Sequence, residues 1–171
     1  LHADRSHVNV SIIGPGRAGG ALAIAAAQAG HRITSVEGRN SDAVARLRAL
    51  VPITSGTPDL RIIAVSDDAI AQVAEVLANE HDPAPTVHVS GAMATTLLAP
   101  IAAHGVQVGS LHPLQTLPDA QRGAQRLDGA WMAITADEPL RGILHGFAAS
   151  LGCHPFDLTD DAKPLYHAGA A

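Results

Sequence analysis

The run from Val8 to Gly30, VNVSIIGPGRAGGALAIAAAQAG, constrains what this chain can fold into more than any other stretch. A short β-branched apolar segment, Val8 to Ile13, meets Gly14, Gly16 and Gly19. An alanine-rich helical segment, Ala21 to Ala29, follows and stops at Gly30. The order is strand, tight turn, helix, with G-x-G-x-x-G across the junction. Gly14 lets the chain leave the strand sharply, Gly16 admits backbone to a pyrophosphate with no Cβ in the way, and Gly19 lets helix and strand pack closely. The free N–H groups and positive dipole end of the new helix suit phosphate at the same point. An ordinary glycine-rich turn is the competing reading. The strand–turn–helix context favours a dinucleotide site made by Gly14, Pro15, Gly16, Arg17, Ala18 and Gly19.

The rest of the chain keeps this alternation. Arg32 to Glu37 reads as a second strand, and Ser41 or Asp42 caps a helix that runs to Leu50. Pro52 to Thr54 reads as a short third strand, and Leu60 to Val65 as a buried parallel fourth. Ser66-Asp67-Asp68 caps a helix from Ala69 to Ala78, and 80–85 is a polar loop. Thr86 to Val89 is a fifth strand, Thr95 to His104 a helix stopped by Gly105, and Val106 to Leu111 a sixth strand. The expected fold is α/β, a doubly wound parallel sheet of six strands. After Leu111 the rhythm changes. His112 to Gly129 is a long polar connection, in which Ala120 to Leu127 has room for a turn or two of helix. Strand Ala130 to Thr135, helix Pro139 to Leu151 and strand His154 to Leu158 follow. Two extra strands, antiparallel to the main sheet, are expected from a crossover without a regular helix.

At 171 residues the chain holds one domain, or one and a piece of another. Hydrophobic content is 47% but aromatics only 2%, so the core must be built from Ala, Val, Leu and Ile. The net charge of −5 and the scarce aromatics argue against nucleic-acid binding. No apolar run is long enough for a bilayer, and the expected setting is the cytoplasm. The single cysteine, Cys153, excludes an internal disulfide framework and reads as a small buried residue. The scattered histidines show no paired ligand spacing, so no metal is expected.

The residues past the second strand select the cofactor. An acid at the strand end favours the ribose of NAD, and an arginine just beyond it accommodates the 2′-phosphate of NADP. Glu37 stands at the end, followed by Gly38, Arg39, Asn40 and Ser41. The guanidinium, amide, hydroxyl and turn N–H groups of Arg39, Asn40 and Ser41 suit a phosphate, which favours NADP over NAD. The alternative is a solvated Arg39 with Glu37 on a ribose hydroxyl. Ligands in such sheets bind outside the carboxyl ends of the strands. Val65, Ser66, Asp67 and Ala69 after the fourth strand, Ser90 and Gly91 after the fifth, and His112 after the sixth therefore face one crevice, while His88 within the fifth strand reads as packed.

The motifs GPGRAG, IIAVSDDAI, VHVSGAMATTLLAPIAAHG, GSLHPLQT and AKPLYHAGAA occur here in one order. Together they resemble bacterial two-domain oxidoreductase-like proteins, in which a Rossmann-like half precedes a helical domain of unknown function. That family is similar to the 6-phosphogluconate dehydrogenase-like superfamily, with ketopantoate reductase, β-hydroxyacid dehydrogenases, pyrroline-5-carboxylate reductase and prephenate dehydrogenase. The resemblance implies a Rossmann-like NADP-binding domain over residues 1–158 and, over 159–171, the start of a helical domain that elsewhere closes the cleft and dimerises. It implies an enzyme that moves hydride between NADP and a small carbonyl or imine, a 2-oxo acid of the ketopantoate type being the leading substrate. A prephenate-like dehydrogenase and a non-catalytic NADP sensor are the alternatives. Without the closing domain, the chain is expected to fold but not to turn over substrate. A similarly placed His-Pro in prephenate dehydrogenases gives His112 an acid–base role, against a structural one. Ser90 would hold a substrate carboxylate or carbonyl. Superfamily reductases carry a lysine with an asparagine or histidine four residues on, which maps to Lys163 as proton donor and His167 as substrate anchor, with Tyr166 beside them. The competing reading has Lys163 solvated and His167 packed on the sheet.

Overall fold

The computed structural model describes residues 7–80 and 82–170; the expectations that touch 1–6, 81 and 171 lie outside them. Seven strands form one sheet: β1 (Asn9–Ile13), β2 (Arg32–Glu37), β3 (Leu60–Ile63), β4 (Thr86–His88), β5 (Val108–Leu114), β6 (Trp131–Ala136) and β7 (His154–Asp157). Their order is β2-β1-β3-β4-β5-β6-β7. The first five in that row are parallel, β6 is antiparallel to β5, and β7 is parallel to β6. The change of direction falls in the long connection after β5, as expected, although that connection is not without a helix. The expected strand at 52–54 shrinks to one parallel bridge, Ile33 to Ile53. Pro52 lacks the N–H a ladder needs, and Ile53 is 40% exposed, so nothing rewards a longer edge strand there. Five parallel strands and this bridge replace the expected six.

The helices are α1 (Arg17–Gln28), α2 (Ser41–Leu50), α3 (Ile70–Glu80), α4 (Ala99–Ala102), α5 (Ala120–Leu127), α6 (Leu140–Ser150) and α7 (Lys163–Ala170). Single 3₁₀ turns precede α3, α4 and α7. Helix α1 starts four residues before the expected Ala21, because the glycines themselves make its first turn. It ends as expected: Gly30, at φ +89°, donates to Ala27 O, and His31 donates to Ala26 O, which closes a Schellman motif. Asn40, rather than Ser41 or Asp42, caps α2, its side chain accepting from Ala43 N at 2.9 Å. The connection after β5 holds a full helix, α5, capped by Asp119.

One core cluster joins α1, α5 and α6 to the sheet through Ile12, Leu22, Ile62, Leu111, Met132, Leu144 and Phe147. The other lies under α3 and α4, around Ile63, Ile70, Leu77, Leu98 and Ile101. Each such Leu or Ile contributes about 1.5–3 kcal/mol through burial. With few aromatics to fill space, small residues bring backbones together. A Cβ on Gly20 would stand 2.5 Å from Ala120 Cβ, and one on Gly123 would stand 2.8 Å from Ala21 Cβ. That close seam is what seats α5 on α1. Cys153 is buried, donates to Leu127 O at 3.1 Å, and burial pushes its thiol up to about 11.

Candidate active site

The glycine turn is fixed by backbone geometry. Gly14 has φ +105°, and a Cβ there would stand 2.3 Å from Ala64 O. Its N–H donates to Glu37 O at 2.8 Å, which ties the turn to the end of β2. A Cβ on Gly19 would meet Gly14 O at 2.0 Å, so α1 leaves β1 at the closest approach the chain allows. Gly16 differs from both: a Cβ there would meet nothing within 4 Å. No side chain caps the start of α1, and the first paired amide is Gly20 N to Gly16 O. The open side of the turn is a cleft of about 670 Å³ lined by Gly14, Pro15, Gly16, Glu37, Gly38, Arg39, Asn40, Val65, Ser66 and Ala69. Bare helix amides beside space at Gly16 fit a pyrophosphate.

The far end of the cleft carries the β2 turn. Glu37, Arg39, Asn40 and Ser41 are all exposed. Asn40 spends its side-chain oxygen on the α2 cap, which leaves its amide nitrogen for a ligand. Ser41 lines a neighbouring depression with Val44 and Arg48 instead of the cleft. Across the gap, the Ser66 hydroxyl holds the Asp68 carboxyl below its usual range, and Arg39 acts on it in the same direction. Arg17, Ala18, Gly19 and Asp67 flank the cleft without lining it. Beyond the residues expected from sequence, Gln72, Val73, Val76, Leu77 and Glu80 of α3 form a wall of the cleft. Its signal was helical spacing from Ala69 onward, and it explains why Val76 is 55% exposed.

His112 lies inside β5, not after it, because β6 pairs antiparallel with β5 out to Leu114 and lengthens the strand beyond its last β4 partner, Ser110. The ring sits under the loop that leaves β4: a Cβ on Gly91 would stand 2.6–2.8 Å from three of its ring atoms. Its Nδ1 lies 3.0 Å from Val89 O. A carbonyl only accepts, so Nδ1 carries the proton and Nε2 keeps a lone pair in the neutral ring. Burial pushes this imidazole below its ordinary value, the Val89 bond opposes that, and His167 and Lys163 add to the lowering. Ser90 Oγ accepts from Ala92 N and Met93 N, so the hydroxyl first of all shapes its own loop. His88 is fully buried, accepts at Nδ1 from Ser90 N, and leaves Nε2 without a partner; burial drops its pKa to about 4.

Lys163 is not solvated, which sets aside the competing reading. The residue is 1% exposed, and Nζ reaches Met93 O at 2.8 Å, Ser110 Oγ at 2.9 Å and Asp160 Oδ1 at 2.8 Å. Three partners account for its three N–H groups. Burial lowers its pKa against the opposing pull of Asp160. His167, one turn on, is exposed, and its charge acts on His112. Tyr166 sets its ring edge-on to His112, with centroids 5.8 Å apart at 90°.

A parallel sheet with this strand order, closed over a glycine turn with bare helix amides, defines a dinucleotide-type α/β domain. The chain belongs to the Rossmann-like domain family, which matches residues 2–113. A comparison with the curated proteins finds no match. Among solved structures, a candidate NADP oxidoreductase from Bacteroides fragilis superposes with a TM-score of 0.81 at 21% identity, covering 96% of this chain and 66% of that one. Prephenate dehydrogenase from Aquifex aeolicus, in complex with hydroxyphenyl propionate and NAD+, gives 0.74 at 14% identity, covering 94% and 63%. A reductive aminase from Aspergillus terreus in complex with NADPH gives 0.69 at 19%, covering 95% and 61%. The likeness is one of fold, and the chain spans between three fifths and two thirds of those proteins. Among the described residues, no helix is long and apolar enough to cross a membrane.

Proposed function

We propose that this chain is the dinucleotide-binding part of an NADP-dependent oxidoreductase that moves hydride between the nicotinamide and a small carbonyl or imine. One observation carries the reading: the open face at Gly16, beneath uncapped α1 amides, continues along one cleft to Arg39 and Asn40. Gly16 and the α1 amides would hold the pyrophosphate, Arg39 and the Asn40 amide nitrogen the 2′-phosphate, and Ser66 and Ala69 the ribose nearer the chemistry. When bound, the nicotinamide supplies or accepts the hydride. The proton is the protein's own contribution, and His112 is the group for it. Its Nδ1–H is anchored on Val89 O, so Nε2 is the atom that takes or gives a proton. Ser90 and Gly91 would orient the substrate at the same loop.

This anchored imidazole favours a second reading, a prephenate-like dehydrogenase. There Nε2 would accept a hydroxyl proton while hydride leaves the same carbon. The 2-oxo acid reading runs the same proton in the other direction. Both can be tested together, in a form of the protein that carries a closing domain, by following nicotinamide absorbance with NADPH against a panel of 2-oxo acids and imines, and with NADP against hydroxy acids. Turnover with one class names the direction. His112→Asn should then lower turnover by about 10²–10⁴-fold. An unaltered rate in that variant would remove His112 from the chemistry.

A further inference from the structure

The start of α7 is held to the site more firmly than a connecting helix requires. Lys163, its first residue, puts an ammonium into a nearly dry position and meets three acceptors there. These come from the loop after β4, from β5 and from the turn before α7. Asp160 in turn accepts from Thr95 N and Thr95 Oγ1. A lysine that only needed water would point outward, since burying its charge is costly without full pairing. The consequence is a fixed distance between the first turn of α7 and the strand that carries His112. At that distance Tyr166 presents its ring edge-on to the imidazole, with Phe156 of β7 behind it at 6.0 Å. Gly91 covers the ring from the loop, and Val89 O holds Nδ1. The imidazole is thus held by a hydrogen bond, a backbone contact and one aromatic edge.

We propose that the start of α7 is a positioning element for His112, in which the Lys163–Asp160 strap holds Tyr166 against the imidazole. The inference rests on the reading of His112 as the acid–base group. Lys163 and Tyr166 act through that ring and touch no reacting atom. The charged or titratable groups that act on His112 are Lys163 and His167 from α7 and Asp67 from the turn after β3. With Tyr166 removed, water reaches the ring and protonation becomes easier. With Lys163 removed, the ring also loses a nearby positive charge, which acts in the same direction.

The test follows the histidine ring resonances of the chain by NMR across a pH titration, with His112→Asn identifying the signal. His112 should titrate below the ordinary imidazole value in the unmodified chain, and about half a unit or more higher in Tyr166→Leu and in Lys163→Met. Tyr166→Phe keeps the ring edge and should titrate like the unmodified chain. If Lys163→Met does not fold, Tyr166→Leu, a change at a half-buried residue, carries the test by itself. A folded Tyr166→Leu whose His112 midpoint stays within about 0.2 unit of the unmodified chain overturns the proposal. So does a Tyr166→Phe that shifts as far as the leucine variant. NADPH titrated into the same proteins separates this from the reading beneath it. Loss of dinucleotide binding in the unmodified chain sinks the oxidoreductase assignment, whereas intact binding with an immobile His112 midpoint sinks only the strap.

Discussion

The two ends of the sheet make their halves of the site by different means. At the β2-β1-β3 end, the site is backbone: glycines 14, 16 and 19, uncapped α1 amides, and a turn after β2. At the β5-β6-β7 end it is side chain: His112, Ser90, Lys163 and Tyr166, with long-range bonds such as Lys163 to Met93 and His112 to Val89 holding two of them. The first half forms from one contiguous strand–turn–helix unit. The second exists only once β6 has paired with β5 and α7 has docked. A backbone site tolerates change at its open positions and none at its closed ones. A side-chain site should respond to pH and to distant contacts.

The largest expected effect separates the glycines of the first half. Gly19→Val puts a side chain into Gly14 O and should destabilise the fold by about 3 kcal/mol or more, read by chemical denaturation. Near-normal stability would mean that α1 does not approach β1 as closely as described. Gly16→Val in the same assay should change stability by less than about 1 kcal/mol, because the position opens on space.

Acid should probe the buried side chains. His88, at about 4 when folded against an ordinary 6.5, takes a proton more readily in the unfolded chain. Stability is therefore full above pH 6.5 and falls as pH drops toward 4, by up to about 3 kcal/mol. His112, lowered by burial, and His31, lowered by burial and by His7, act in the same direction. Asp160 adds to the loss further down: burial opposes it, but bonds from Lys163 and Thr95 hold its carboxyl below the usual range. Denaturation midpoints at about pH 7 and about pH 4.5 measure this. Equal midpoints would show that these rings are not dry.

Smaller effects sharpen the contrast. Gly16→Val should weaken dinucleotide binding by about 1–3 kcal/mol without unfolding the chain, since its side chain occupies the space proposed for phosphate. If affinity is unaltered, the cleft is not the phosphate site. Cys153, buried with its thiol pushed up to about 11, should resist a thiol reagent in the native protein and react only on unfolding. Rapid native labelling would contradict its packing beside Leu127.

This difference also decided what could be read from sequence. The glycine turn and the early parallel strands are legible because each follows from local spacing; the reversal after β5 is found, but the missing helix it was inferred from is present as α5. The fate of the expected strand at 52–54 was not legible, since it hung on one exposed edge beyond β2. Local spacing ends that strand before His112, whereas it continues through it, because the β6 partner that extends it lies some twenty residues on. Helix α5 was only half visible: its buried face is Gly123, Ala124 and Leu127, too small to give an apolar period. The partners of Lys163 are the least legible feature. Position in a first helical turn suggests a solvated or reactive amine, and nothing in KPLYH shows that Asp160, Met93 and Ser110 converge on it.

In the proposed reading the Gly16 cleft binds a nicotinamide dinucleotide and Arg39 selects the phosphorylated one. Calorimetric titration of NADPH and NADH into the chain, and into Arg39→Ala, decides this. NADPH should bind more tightly than NADH. Arg39→Ala should weaken NADPH by about 1–3 kcal/mol, the scale of a lost charge-assisted hydrogen bond, and leave NADH nearly unchanged. Tighter binding of NADH to the unmodified chain, or binding of neither, would contradict the account.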